Sequence, residues 1–169
     1  MDFNPHFIEF CEKNVEPKDK EKAKFFVGDA CELTALLDDS CGDWVKDSTK
    51  IVMCVGNTIG IMPDEIKSRI YQQMANVAGV DGVAVMVYWN GNSFGEALQH
   101  FYHKNPQLCG PFTGECIDLD TCTLSTPSGY KTHWTTPEEA AEVLKVEGME
   151  IVQLIEKGRG VLAAYRRKV

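Results

Sequence analysis

The sequence lacks several features that define whole classes of protein. No apolar run approaches the roughly 20 residues that a membrane-spanning helix requires, so we predict no membrane partner. The first residues carry no basic segment followed by an apolar one, so we predict no signal peptide. Basic residues are in the minority, and the formal net charge of -8 disfavours nucleic acid as the main partner.

The seven cysteines include no Cys-x-x-Cys pair, and their number is odd. A disulfide framework needs an even set and a structural zinc site is typically built from paired cysteines, so we expect neither. Free thiols are typical of a reducing compartment, which predicts a cytoplasmic protein. His100 and His103 can share one helix face, but no carboxylate or cysteine completes a ligand set. We therefore predict no metal site.

Short apolar runs alternate with amphipathic stretches, which is typical of an α/β domain, and we assign the whole span 1–169 to one domain. Unbroken apolar runs at 50–55 and 82–89 predict strands of a parallel sheet that is covered on both faces. The side chains that this coverage should make almost solvent-free are Ile51, Val52, Val55, Val83, Val85 and Val87. Apolar residues at helical spacing predict a helix over 63–78.

Further elements are predicted near the two ends of the chain. A short strand is expected over 23–27, ended by the segment 28–30. Thr136 and Glu139 can form a capping box, which predicts a helix from there to Glu147. Strands over 149–156 and 160–165 are separated by three residues, which predicts an antiparallel hairpin.

Four motifs follow one another at predicted strand ends. They are Asp2 in the segment 1–5, the triplet Gly28-Asp29-Ala30, the segment 55–60 with Asn57 and Thr58, and the triplet Tyr88-Trp89-Asn90. In this order and spacing, the chain resembles class I (Rossmann-like) S-adenosylmethionine-dependent methyltransferases from their second strand onward. The resemblance implies a three-layer α/β fold with a mostly parallel sheet and an antiparallel C-terminal hairpin.

The resemblance also implies that the fold is N-terminally incomplete. The first strand, the glycine-rich cofactor loop and the first helix of the family would precede Met1, and no G-x-G-x-x-G run replaces that loop. Three explanations stay open: a chain that begins inside a longer protein, a companion chain that supplies the missing part, and a degenerate relative. A sheet without its central strand further predicts self-association or a companion chain at the unpaired edge.

The resemblance assigns S-adenosylmethionine as the cofactor. It implies that Asp2 holds the ribose hydroxyls and that Asp29, between Gly28 and Ala30, lies near the adenine amino group. The alternative for both carboxylates is the capping of a helix or turn. Asn57 and Thr58 follow a buried strand at the edge where α/β sheets bind ligands, and their alternative is a polar turn.

Methyl transfer from a sulfonium is an in-line displacement, which mainly requires that the reacting atoms are aligned. His133 is the candidate general base, and a structural histidine is the alternative. Six side chains could line a pocket for the acceptor or pack in the core: Tyr88, Trp89, Asn90, Tyr102, Tyr130 and Trp134.

Two functions follow from these observations. The first is methyl transfer to nitrogen or oxygen of a small molecule, a reaction that this chain does not perform by itself. The second is a non-catalytic protein or subunit that keeps the fold without binding the cofactor. A nicotinamide dehydrogenase fits less well, because it also needs the glycine fingerprint and has no need of the closing hairpin.

Overall fold

The computed structural model describes residues 1–41 and 50–168. The α-helices within these residues are α1 (Pro5–Asn14), α2 (Leu33–Cys41), α3 (Asp64–Ala78), α4 (Phe94–Ala97), α5 (Pro106–Cys109) and α6 (Pro137–Val146). A π-helical turn, Leu98–Tyr102, continues α4, and the short 3-10 helices are Pro17–Asp19, Ala30–Glu32, Thr58–Ile61, Gly91–Ser93 and Gly114–Cys116. The strands are β1 (Ile51–Cys54), β2 (Val83–Trp89), β3 (Ile117–Asp118), β4 (Thr123–Ser125), β5 (Lys131–His133), β6 (Met149–Lys157) and β7 (Gly160–Arg167).

The larger sheet has the strand order β1-β2-β7-β6. β1 runs parallel to β2, whereas β7 is antiparallel to both β2 and β6. The hairpin predicted at the C-terminus is therefore confirmed. The expectation of a mostly parallel sheet is wrong for the described strands, because the hairpin supplies two of the four strands and the sheet is mixed.

The N-terminal segment forms a separate parallel contact. Asp2 bridges Val27, with the Asp2 N–H donating to Phe26 O at 3.1 Å and the Gly28 N–H donating to Asp2 O at 3.0 Å. The strand predicted over 23–27 is reduced to this bridge. Within the described residues, β2 is the one strand that pairs with β1, so the other edge of β1 is open.

The main core lies on one face of the larger sheet. Helix α3 presents Ile70, Tyr71 and Met74 to the sheet and ends at Gly79, whose φ of +71° suits glycine. Helix α6 adds Ala140 and Leu144. The buried strand residues beneath these helices are Ala84, Met86, Tyr88, Val161, Ala163 and Tyr165.

The prediction that six strand side chains are almost solvent-free is confirmed for Val85 and wrong for the other five. Ile51 is 71% exposed and Val55 is 54% exposed, whereas Val85 in β2 is 8% exposed. Val52, Val83 and Val87 are half-buried. The exposed side chains lie on the face of β1 away from the main core, which Val52 and Cys54 contact from the other face. An apolar sequence indicates a strand, but it does not guarantee that other chain elements cover that strand.

A second core lies beside the smaller antiparallel sheet β3-β4-β5. Its buried members are Phe94, Ala97, Leu98, Tyr102, Cys109, Leu124 and Trp134. Alternating apolar residues over 116–125 are typical of one half-buried strand, and the structure divides this segment into β3 and β4. None of the helices in the described part of the chain is both long and apolar enough to cross a membrane.

Candidate functional site

The two candidate cofactor carboxylates lie at the same end of neighbouring parallel segments. Asp2 and Val27 form the bridge, and Asp29 follows Val27 by two residues. An Oδ1 atom of each carboxylate caps local backbone: Asp2 accepts from the Asn4 N–H and Asp29 accepts from the Cys31 N–H, both at 2.8 Å. Both side chains are exposed, and a carboxylate has about four acceptor sites. Capping therefore leaves acceptor capacity for a ligand.

Gly28 and Ala30 fix the position of Asp29. A Cβ atom at Gly28 would come within 2.7 Å of Leu36 Cδ2, so the turn packs closely against α2. Ala30 packs against the main core. These flanking residues determine where the Asp29 carboxylate lies.

Asn57 joins the end of β1 to two other parts of the chain. Its Oδ1 accepts from the Trp89 N–H at 3.0 Å, and its Nδ2 donates to His133 O at 3.1 Å and to Thr132 Oγ1 at 3.4 Å. The side chain is buried, and both polar ends of the amide are used within the chain. Thr58 is exposed, and its hydroxyl donates to Val55 O at 2.9 Å.

Four of the candidate acceptor-site aromatics come together in one cluster. Trp89 lies 4.7 Å from Trp134 between ring centroids, and Tyr102 lies 6.2 Å from both Trp134 and Tyr130. The Trp134 indole N–H donates to the Tyr102 hydroxyl at 2.9 Å. Because Tyr102 and Trp134 are buried, their present contacts are those of core packing.

The other two candidates lie elsewhere. Tyr88 points into the main core, where its hydroxyl donates to the Tyr71 hydroxyl at 3.2 Å. Burial raises the pKa of Tyr71 to about 12 and raises the pKa of Tyr88 further. Asn90 ties the end of β2 to the β6–β7 hairpin, because its Nδ2 donates to Glu156 Oε1 at 2.7 Å and to Gly158 O at 3.0 Å.

His133 faces a cavity of about 1350 Å³. The cavity lies between α3, α6 and the smaller sheet, and the hydroxyl-bearing residues Tyr71 and Tyr88 are part of its lining. His133 is half-buried, and its Nε2 lies 3.0 Å from a Glu139 carboxylate oxygen. The bond from Asn57 to His133 O connects this wall of the cavity to the end of β1.

Glu139 is a site residue that sequence analysis placed in a different role. Thr136 caps α6 as predicted, accepting from the Glu139 N–H at 3.1 Å. The Glu139 carboxylate pairs with His133 instead of completing the capping box.

Lys67, Lys131 and Asp64 also line the cavity and gave no sequence signal, because helix and strand periodicity treats them as ordinary surface charges. Within residues 1–41 and 50–168, no group of three or more His, Cys, Asp and Glu residues is placed to hold a metal ion.

No protein-family model and no curated protein sequence matches the chain. Solved structures do. One of them is the PH0226 protein from Pyrococcus horikoshii OT3, with 13% sequence identity and a TM-score of 0.57. The match covers 98% of this chain and 69% of the PH0226 chain. Another is a SAM-dependent methyltransferase from Anabaena variabilis, with 12% sequence identity and a TM-score of 0.53. The match covers 94% of this chain and 62% of the Anabaena chain.

A third structure, a TehB-like SAM-dependent methyltransferase from Corynebacterium glutamicum, matches 98% of this chain at 14% identity and a TM-score of 0.50. The match uses 65% of that protein, so this chain spans about two thirds of the length of the structures it resembles. Similarity at this level of identity concerns the fold. The chain therefore has the α/β fold, with a mixed sheet, of S-adenosylmethionine-dependent methyltransferases.

Proposed function

We propose that the protein uses S-adenosylmethionine to methylate a nitrogen or oxygen atom of a small molecule. The observation that carries this proposal is the parallel bridge between Asp2 and Val27, which brings Asp2 and Asp29 to one end of adjacent segments. Ligands of open α/β sheets bind at the carboxyl ends of strands, and Asp2 and Asp29 lie at the same end of the two bridged segments, which stand outside the named strands. The proposal includes a three-layer arrangement of the whole domain and a cytoplasmic location.

The residues present fit the adenosine half of the cofactor. Asp2 can accept from ribose hydroxyls and Asp29 from the adenine amino group, since both carboxylates are exposed and keep free acceptor sites. The described residues include no glycine-rich turn for the methionine half. We therefore expect weak binding by this chain, with a dissociation constant of about 1 mM.

His133 is the proposed proton acceptor. When bound, S-adenosylmethionine would supply an electrophilic methyl group on a sulfonium, with a neutral thioether as its leaving group. His133 Nε2 is held by Glu139, whereas Nδ1 has no hydrogen-bond partner among the described residues. Nδ1 can thus take the proton that the acceptor loses, in a cavity that already adjoins the end of β1 through Asn57.

One observation favours the alternative, a non-catalytic protein with the same fold. Asn57 lies at the strand end where a cofactor contact is expected, yet its amide is fully used in joining β1 to β2 and β5. A protein that kept the fold and lost the ligand would retain such a bond. Titration with the cofactor product decides between the two functions.

We expect S-adenosylhomocysteine to shift the backbone amide signals of Gly28 to Cys31 in a ¹H–¹⁵N NMR titration of the full chain. Asp29→Asn should weaken this binding about tenfold or more, because a charge-assisted hydrogen bond becomes a neutral one. Asparagine can still accept from the Cys31 N–H, so the local cap and the fold should persist.

Asp118→Asn is the matched control. Asp118 is also exposed and caps local backbone, accepting from the Thr121 N–H at 3.0 Å, but it lies in the smaller sheet. This variant should bind like the wild type. Equal binding by the wild type and Asp29→Asn would remove Asp29 from the site, and the absence of any shift up to tens of millimolar ligand would support the non-catalytic alternative.

A further inference from the structure

The backbone and the imidazole ring of His133 are held by different parts of the chain. Asn57 Nδ2 donates to His133 O at 3.1 Å, and a Cβ atom at Gly60 would lie within 2.4 Å of the same oxygen. The turn after β1 therefore needs glycine at position 60 to pack this closely against His133. Ring atom Nε2 lies 3.0 Å from Glu139 Oε1 and 3.1 Å from Glu139 Oε2. His133 is thus fixed beside the carboxyl end of β1, the edge of the sheet at which α/β proteins bind ligands.

The contact with Glu139 determines which nitrogen of a neutral His133 ring carries the proton. An ionised carboxylate only accepts hydrogen bonds, so the proton of the neutral ring lies on Nε2 and Nδ1 keeps a free lone pair. Glu139 is itself fixed at the start of α6, because its N–H donates to Thr136 Oγ1 at 3.1 Å. No described residue forms a hydrogen bond with Nδ1. Nδ1 is therefore the proton-accepting atom of the ring.

The charges of the cavity wall distinguish between classes of methyl acceptor. Seven carboxylate side chains and two lysines line the cavity. Such a wall repels an anionic acceptor, and it keeps an amine protonated because nearby negative charge favours the ammonium form. An ammonium has no lone pair with which to attack a methyl group. A neutral hydroxyl group keeps its lone pairs in the same surroundings.

A buried hydroxyl group on the cavity wall also has an unused hydrogen-bond donor. Tyr71 is 3% exposed and lines the cavity, and its hydroxyl accepts from the Tyr88 hydroxyl at 3.2 Å. No described group accepts the proton of the Tyr71 hydroxyl. Buried polar groups are nearly always paired, with the chain, with water or with a ligand. An oxygen atom of a ligand can accept this hydrogen bond, whereas an ammonium group cannot.

We propose that the methyl acceptor is a neutral alcohol or phenol, and that Glu139 is a positioning residue that keeps Nδ1 of His133 free to take the hydroxyl proton. An oxygen lone pair forms the bond to the methyl carbon, and the carbon–sulfur electron pair stays with the departing thioether. The electrons of the O–H bond remain on oxygen while the proton goes to Nδ1, so a neutral ether and an imidazolium result. Glu139 then lies beside the new positive charge and stabilises it. The inference deepens the proposed function and rests on it for the methyl donor, but not for the state of His133.

Nitrogen-15 NMR of the histidine ring, on the full chain without cofactor, tests the role of Glu139. At a pH where the ring is neutral, we expect His133 of the wild type to carry its proton on Nε2. Glu139→Gln should give a mixture of the two tautomers, because a glutamine amide can donate to Nε2 as well as accept from it. Glu138→Gln is the matched control, since Glu138 is exposed at the neighbouring position and its loss changes the net charge equally. A proton on Nδ1 in the wild type, or an unchanged tautomer in Glu139→Gln, would overturn the assignment.

The class of acceptor is tested by titrating the same Nδ1 signal with benzyl alcohol, benzyl methyl ether and benzylamine. We expect benzyl alcohol to shift the signal saturably, because its hydroxyl can donate to Nδ1, and the ether to leave it unchanged, because the ether has no donor. Benzylamine should need at least a tenfold higher concentration for the same shift. No shift with benzyl alcohol, an equal shift with the ether, or an equal or stronger response to benzylamine would overturn a hydroxyl acceptor. Since no cofactor is present, failure here is distinct from failure of S-adenosylhomocysteine to shift the signals of Gly28 to Cys31.

Discussion

Replacing Asn57 with alanine should destabilise the protein by about 3 kcal/mol. The buried amide accepts from the Trp89 N–H and donates to His133 O, so its removal leaves both backbone groups without this partner. Asn57 also has a left-handed backbone conformation, with φ of 58° and ψ of 25°, which asparagine tolerates better than alanine. Urea unfolding of wild type and variant measures the difference in free energy.

Thr58→Ala provides the comparison at the next residue. Thr58 is exposed and makes a single side-chain bond to Val55 O, so its loss should cost about 0.5 kcal/mol. Asn57→Gly removes the amide without imposing strain at a positive φ, and it should still cost about 2 kcal/mol. If Asn57→Ala were no more destabilising than Thr58→Ala, the amide would not be the tie that joins β1 to β2 and β5.

The second large effect is expected at the open edge of β1. We expect the chain to self-associate, because exposed Ile51 and Met53 accompany a row of backbone groups that no described strand pairs. The double variant Ile51→Lys/Met53→Lys should be monomeric over the concentration range in which the wild type associates. Lysine on an edge strand opposes strand pairing, since joining two such edges brings like charges together. Sedimentation velocity at increasing protein concentration measures this change.

Val80→Lys/Val146→Lys is a matched control with the same added charge. Both valines are exposed, and neither belongs to a strand. This variant should associate like the wild type. A wild-type chain that stays monomeric at high concentration would show that the open edge of β1 does not drive self-association. Equal loss of association in both double variants would show that net charge, rather than the edge of β1, controls association.

Local sequence patterns determined the kind of most elements. Apolar residues at helical spacing predicted α3, and the structure has it over Asp64–Ala78. Unbroken apolar runs predicted β1 and β2, and a three-residue separation predicted the β6–β7 hairpin. The order of these elements also indicated the methyltransferase fold that the structural comparison confirms. Such patterns suffice because hydrogen bonds and side-chain periodicity within one segment decide its type.

Sequence order also placed the candidate cofactor residues at strand ends. It could not determine what their side chains contact. Asn57 is buried and bonded to Trp89 and His133, which are distant in the chain. Tyr102 and Trp134 pack against each other in a core. Whether any of these residues binds a ligand stays a prediction, and the titration of the Asp29→Asn variant tests it for Asp29.

Only the tertiary structure decided which surfaces are covered and which distant residues meet. Ile51 is exposed because it points to the sheet face away from the main core, and the residues 51–54 alone do not show which of the two faces other elements cover. The pairing of His133 with Glu139 depends on how β5 packs near the first turn of α6. The cavity likewise exists because α3, α6 and the smaller sheet come together. A sequence determines local conformation through neighbouring residues, whereas coverage and charge pairing arise between segments that only folding brings into contact.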